Sequence, residues 1–394
     1  MKSLVKIAVC AAAMAFVGCG SDAAPTGPAA SGTDSGYVVG SLVFGDDVDT
    51  SYVNILQSLG VQTIDYDQAR EFSGAADLWV HEGSVFVADG EALTITKYSV
   101  IGGQLSEQGR LGFSGYGLTS FGFWLNAFVA KDKAYFLNES AEYIVWNPET
   151  MTLTGTIEFP KPAAHGTLKP FPGYADRASV LRDGKLYQAM YWTDDTYFQF
   201  SQDSQVLVVD VATDRVDSVI SAPCPGLDFA TSDSEHNLFF SSWVYAAGGA
   251  QVLQQPATCV FEIPSVGEPS VPFEFSDITN GHQGAAFRYL GNGKALLSVL
   301  QEDHADDPTD SAGVTFGNNW RFWTYDMRSG SSSVIDGIDW NAGGQYTYDI
   351  DGKTLMLVPK GDYSATTVFD ITDTNAPSAL FETKGWATRL FKLE

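Results

Sequence analysis

The sequence predicts an all-β fold, a seven-bladed β-propeller of four-stranded blades closed by its own two ends. Three observations predict it: a repeat of about fifty residues, a hairpin signal at the head of each unit, and a near-absence of helical periodicity. Short apolar runs recur as Ser84-Val-Phe-Val, Lys133-Ala-Tyr-Phe-Leu, Lys185-Leu-Tyr-Gln-Ala, Asn237-Leu-Phe-Phe-Ser, Lys294-Ala-Leu-Leu-Ser and Lys353-Thr-Leu-Met-Leu, their starts 49, 52, 52, 57 and 59 residues apart. Turn residues precede them, among them Arg182-Asp183-Gly184, Gly291-Asn292-Gly293 and Asp351-Gly352, which favour the left-handed backbone of a tight hairpin.

A second run follows each first one, at 95–100, 143–148, 206–213, 260–265, 321–328 and 366–373. Several end in one phrase: Val209-Asp210-Val211-Ala212-Thr213, Tyr325-Asp326-Met327-Arg328 and Phe369-Asp370-Ile371-Thr372. An apolar residue, Asp, an apolar residue and a turn is how one strand hands over to the outer strand of a blade. Six units account for residues 73–394. Residues 37–72 hold a strand pair (37–44 and 52–56) without a full unit, and Trp386 to Leu393 has the pattern of an innermost strand without a blade. Joining the two ends makes the seventh blade and removes the free sheet edges. Six or eight blades are the neighbouring counts. Residues 67–72 are the one short helical candidate.

The first 36 residues read as an address and a tether. Lys2 and Lys6 precede an apolar run from Ile7 to Val17, the charged and apolar regions of a secretory signal, too short to span a bilayer. It ends in Phe16-Val17-Gly18-Cys19, a pattern that resembles a bacterial lipobox, with Phe16 where Leu is usual. Residues 1–18 are then the signal peptide and Cys19 the lipidated N-terminus. Residues 19–36, rich in Ala, Gly, Ser, Thr and Pro, form a flexible tether, and residues 37–394 form a single domain. Gly20 and Ser21 follow the cysteine where an Asp would suggest inner-membrane retention, so outer-membrane attachment is expected, with no membrane contact beyond the anchor. In an exported chain Cys224 and Cys259 are expected to form a disulfide; the alternative is two buried thiols.

With 48 acidic and 22 basic residues, the formal charge is −26, which argues against nucleic acid as a partner. Aromatic residues make up 13% of the chain, and they crowd the segments expected to join second to third strands, or blade to blade, on one face of the ring. The candidate ligand-binding residues there are His165, Lys169, Arg177, Tyr191, Trp192, Trp243, Tyr245, His282, Trp320, Arg321 and Lys360. Tyr and Trp with scattered Arg, Lys and His suit a flat or aromatic ligand of negative charge, an expectation that the acidic excess of the whole chain opposes at long range. The acidic segment 302–310 is a candidate structural calcium site, although a solvated loop explains it better. No catalytic motif, metal-ligand pair or cofactor fingerprint is found, so neither catalytic residues nor a cofactor are expected.

The lipobox, short polar tether and opening strands Gly36-Tyr-Val-Val-Gly-Ser-Leu-Val-Phe44 and Ser51-Tyr-Val-Asn-Ile-Leu56, with Glu91-Ala-Leu-Thr-Ile-Thr-Lys-Tyr98 and Thr119-Ser-Phe-Gly122, resemble a family of bacterial lipoprotein propellers. Members are associated with TonB-dependent siderophore receptors, among them a lipoprotein of the myxochelin gene cluster. The resemblance implies a non-enzymatic protein on the outer membrane that binds a ferric siderophore, or a similar small ligand, or passes it to a receptor. The alternatives are an interaction module for a protein or polysaccharide, and a propeller enzyme such as a lyase or quinoprotein-like dehydrogenase.

Overall fold

The computed structural model describes residues 35–393 apart from 46, 61, 62, 65, 119, 120, 139–141 and 163. The signal peptide, the lipobox and nearly all of the tether lie outside the described residues. Seven antiparallel sheets follow one another around a ring, numbered here from residue 76. Blade 1 is Ala76–His81, Ser84–Asp89, Thr94–Ile101 and Gln104–Gly112. Blade 2 is Asn126–Ala130, Lys133–Asn138, Glu142–Asn147 and Thr152–Glu158. Blade 3 has its inner strand split into Lys169–Pro172 and Ser179–Arg182, then Lys185–Thr193, Phe200–Asp210 and Arg215–Ala222. Blade 4 is Leu227–Ser232, Leu238–Ser242, Cys259–Ile263 and Ser270–Glu274. Blade 5 is Gly284–Gly291, Lys294–Leu300, Trp320–Asp326 and Ser331–Val334. Blade 6 is Tyr346–Ile350, Lys353–Pro359, Ala365–Asp370 and Ser378–Lys384, with Thr63–Ile64 added in parallel at its outer edge.

Blade 7 closes the ring. Its inner strand is the C-terminal Trp386–Leu393, and its outer three are Gly36–Val43, Thr50–Leu56 and Arg70–Ser73. All six first runs are second strands, and both chain ends meet as the pattern predicts. The recurring Asp phrase also has a physical cause. Asn147, Asp210, Asp326 and Asp370 end third strands, and each side chain accepts the backbone N–H two or three residues on. A short acceptor there stops the strand and folds the turn to the outer strand.

The core lies between neighbouring blades, where rings from one sheet meet rings from the next. Phe86 of blade 1 meets Phe128 and Trp146 of blade 2 at 5.4 and 5.7 Å. Phe239 and Phe287 join blades 4 and 5 at 5.3 Å, and Tyr348 and Phe391 join blades 6 and 7 at 5.3 Å. The Cys224–Cys259 disulfide is formed, with Cα atoms 5.7 Å apart, and ties the segment before blade 4 to that blade's third strand.

Two helical expectations are corrected. Residues 67–72 are a turn leading into the strand Arg70–Ser73. A ten-residue helix, Val244–Leu253, instead stands in the loop between the second and third strands of blade 4. Its Gly248-Gly249 pair disfavours helix locally, which hid it in the sequence. Packing explains the glycines: a Cβ on Gly248 would sit 1.8 Å from Thr315 Oγ1, and one on Gly249 would sit 2.3 Å from the Phe198 carbonyl oxygen. Thr315 belongs to a second helix, Ser311–Phe316, from the equivalent loop of blade 5. Among the described residues no helix is long and apolar enough to cross a membrane.

Candidate functional site at the channel mouth

In an antiparallel four-stranded blade the inner strand starts on the same face as the loop joining strands two and three. The starts of the inner strands and those loops therefore surround one mouth of the central channel. Regular strands would alternate their side chains strictly, but several inner strands do not stay regular here. In blade 4 the pairing runs Leu227↔Ser242 and then Phe229↔Ser241, leaving Asp228 as an extra residue. In blade 7 it runs Gly40↔Arg389 and then Ser41↔Ala387, leaving Thr388 extra. A bulge shifts the alternation by one and re-aims the side chains beyond it. Trp386 and Arg389, three apart, thereby contribute to one aromatic and ionic cluster.

Blade 3 departs further. Its inner strand breaks between Pro172 and Ser179, and the excursion carries Tyr174, Asp176 and Arg177. Gln188, fully buried, holds the break together by donating its amide to the carbonyl oxygens of Gly173 and Ala189, at 2.7 and 2.9 Å. Gly173 is needed there, since a Cβ would lie 2.6 Å from that of Ala178.

Two ionic clusters result. Arg389 donates to both oxygens of Asp77, at 2.5 and 2.6 Å, and to Asp176 at 2.5 Å. Asp77 also accepts the Trp124 backbone N–H at 2.6 Å, and Asp176 accepts from the Trp79 indole at 3.2 Å. Arg177 donates to Asp228, which accepts the Tyr174 backbone N–H at 3.1 Å as well. Burial opposes the Arg389 charge, but Asp176 and Asp77 outweigh it and hold its pKa well above the ordinary value; for Arg177 burial is likewise outweighed by Asp228, which raises its pKa. Burial, reinforced by the charge of Asp77 and only partly offset by Arg389, pushes the Asp176 carboxyl up to about 6.

Aromatic rings surround these charges. The Arg177 guanidinium lies 4.6 Å from the Trp124 ring centroid, 4.7 Å from Tyr174, 4.8 Å from Phe229 and 5.6 Å from Trp243. Trp386 is the hub of the other side, with Phe44, Phe123, Trp124, Tyr346 and Tyr363 at centroid distances of 5.6–6.1 Å. Trp243 is a second hub, meeting Tyr245 at 3.9 Å, Tyr197 at 6.0 Å and Tyr174 at 6.1 Å. Burial raises the Tyr174 and Tyr346 pKa values, so these phenols are neutral. Trp124, Tyr197 and Tyr363 adopt left-handed backbone with φ of 64°, 61° and 56°. Non-glycine residues held in that region carry strain, and such strain gathers at sites of function.

Of the sequence candidates, the structure brings Arg177, Tyr191, Trp243 and Tyr245 together; Tyr191 is fully buried against Phe171, Phe200 and Trp243. The others stand apart. Trp320 is a core residue whose indole donates to the Thr315 carbonyl at 2.9 Å, and Trp192 is buried beneath His165 at 4.1 Å. His165 also contacts Ser201 at 2.8 Å, and His282 pairs with Glu302 at 3.0 Å. Lys169 pairs with Asp195 at 2.5 Å, Lys360 with Glu382 at 3.0 Å, and Arg321 covers the Trp340 ring at 5.2 Å. In the acidic segment 302–310, Asp307 folds its own turn and Asp310 caps the helix Ser311–Phe316. Among the described residues no group of three or more metal-ligating side chains converges.

Sequence reasoning missed the carboxylates Asp77, Asp176 and Asp228 and the rings Trp124, Tyr346 and Trp386. The available signal was an Asp at the second position of an inner strand, at 77 and 228 alike. A surface groove beside the disulfide, lined by Pro223, Pro225, Gln255, Pro256 and Cys259, lies away from this cluster. The channel mouth is the candidate site because buried charge and aromatic surface converge there.

Compared with known protein families and with curated proteins, the sequence gives no match. Solved structures do match in shape. The periplasmic gluconolactonase PpgL of Pseudomonas aeruginosa aligns over 91% of this chain and 99% of its own, with a TM-score of 0.57 and 11% identity. A Bacteroides fragilis protein assigned as a 6-phosphogluconolactonase aligns over 93% of this chain and 100% of its own, with a TM-score of 0.54 and 11% identity. Apo AztD of Citrobacter koseri covers 91% of this chain and 98% of its own at a TM-score of 0.43 and 11% identity. At such identities the likeness concerns architecture alone: the chain is a seven-bladed β-propeller of four-stranded antiparallel blades.

Proposed function

We propose that this chain is an exported, lipid-anchored, non-catalytic propeller that binds a small ligand, a ferric siderophore, at the channel mouth and passes it to an outer-membrane receptor. The observation that carries the binding role is the aromatic mouth, where rings from blades 2, 3 and 4 gather around the Arg177 guanidinium, rings from blades 6 and 7 join them through Trp386, and Trp124, Tyr197 and Tyr363 are held in left-handed backbone. Rings give stacking area at low conformational cost. A site built from many blades on a rigid ring is pre-organised for a bulky ligand.

Export is supported by the signal-like segment 1–18 and by the buried Cys224–Cys259 disulfide, a bond that persists in oxidising compartments. Anchoring rests on Cys19 and the tether that follows it. The siderophore class rests on the resemblance to receptor-associated lipoprotein propellers. Incubating the purified protein with ferric siderophores and following tryptophan fluorescence tests the role, because Trp124, Trp243 and Trp386 all lie at the mouth. Micromolar quenching that disappears in Trp386→Leu is expected. Failure of every ferric hydroxamate and catecholate to quench at that level overturns it.

A further inference from the structure

Resting on the binding role proposed above, we infer that the channel mouth takes ligands of zero or positive charge and rejects anions, so that among ferric siderophores it favours hydroxamate complexes over tris-catecholates. The guanidiniums of Arg177 and Arg389 are already committed, one to Asp228 and the other to Asp77 and Asp176. Two positive charges face three carboxylates, which leaves the set at −1 when all are ionised. Further out, Lys169 and Lys360 are each paired with a carboxylate. An anionic ligand at the remaining Arg177 N–H donors meets a guanidinium whose charge Asp228 already neutralises, and freeing either guanidinium means displacing Asp228 or Asp77, whose side chains have no solvent exposure. A buried carboxylate stripped of its partner is strongly destabilising, so that exchange is unfavourable.

What the mouth still offers points the same way. Asp176 Oδ1 is buried with no protein partner, an acceptor aimed at an N–H, an O–H or a cation. The Arg177 Nε–H is buried without a partner too, and it suits the carbonyl-type oxygen of an uncharged ligand. The π-faces around them attract positive charge. The chain's overall charge of −26 adds a long-range bias of the same sign.

The test is a fluorescence titration of the purified protein at pH 8 with three ferric complexes. One is a linear trihydroxamate bearing a free amine (net +1), one a cyclic trihydroxamate (net 0) and one a tris-catecholate (net −3). The hydroxamates are expected to bind at least tenfold more tightly than the catecholate. In Asp176→Asn, with folding verified by circular dichroism, the preference for the cationic over the neutral hydroxamate is expected to fall severalfold. A catecholate that binds as tightly as the hydroxamates overturns the charge selection and leaves the binding role standing. An unchanged preference in folded Asp176→Asn overturns the assignment of that selection to the channel carboxylates. If none of the three complexes binds, both the selection and the binding role fall.

Discussion

Replacing Arg389 by Met keeps the length of the side chain and removes the charge that holds two carboxylates in the channel. Its side chain is 7% exposed and that of Asp77 is 0% exposed. Asp77 and Asp176 then face each other without a cation, and breaking a buried ion pair from one side costs about 3–5 kcal/mol. For a propeller of about 360 residues the unfolding entropy is roughly 0.75 kcal/mol/K, so the melting temperature is expected to fall by about 4–7 °C. Arg389 also sits on the strand that closes the ring, opposite Gly40, so the loss weakens the junction between the chain ends. Differential scanning calorimetry at pH 7.5 measures it. Adding Asp77→Asn to Arg389→Met removes one of the two stranded charges and is expected to recover part of the loss, which a double-mutant cycle separates from lost packing. A melting temperature for Arg389→Met within 1 °C of the parent refutes the assignment of this cluster as a closing contact. So does a double variant less stable than the single one.

The remaining predictions follow from the same residues and their neighbours. Gly40→Ala places a methyl 2.3 Å from Leu78 Cδ2 and 3.3 Å from Arg389 Cβ; overpacking of about 1–3 kcal/mol is expected as a lower urea midpoint. Asp176 has a folded pKa of about 6, raised from 3.8, so its stabilising contribution is complete below pH 4 and lost as pH rises through 6. Asp176→Asn is therefore expected to be more stable than the parent at pH 8, by an amount on the order of 3 kcal/mol, with the advantage shrinking towards pH 4; parallel urea melts across that range check the sign. Replacing both Cys224 and Cys259 by Ser opens a loop with a sequence separation of 35. Chain entropy puts the cost at about 4 kcal/mol, and equal denaturation midpoints for parent and variant would contradict it.

The sequence by itself determined the repeat, its closure and its cysteine pair. Those features are local, or follow from local ones: Asp210 and Asp326 fold turns with their own neighbours, Asp-Gly and Asn-Gly dipeptides set the hairpins, and an orphan inner strand at 386–393 needs the orphan strands at 36–56. The helix Val244–Leu253 escaped because Gly248 and Gly249 serve contacts with Thr315 and with the Phe198 carbonyl, both distant in sequence. The aromatic rim was legible as a composition of certain loops, but composition could not separate Trp243, at the mouth, from Trp320, in the core. Only the tertiary structure decided that Arg389 meets Asp77 across 312 residues, or that Trp79 and Asp176 meet across 97. Bulges at Asp228 and Thr388 and the break between Pro172 and Ser179 then re-aim side chains that strict alternation would have turned elsewhere. Strand pairing and turns are written in neighbouring residues, whereas the channel exists only once seven sheets close on themselves. Its carboxylates, their committed arginines and the charge they leave over are properties of that closure.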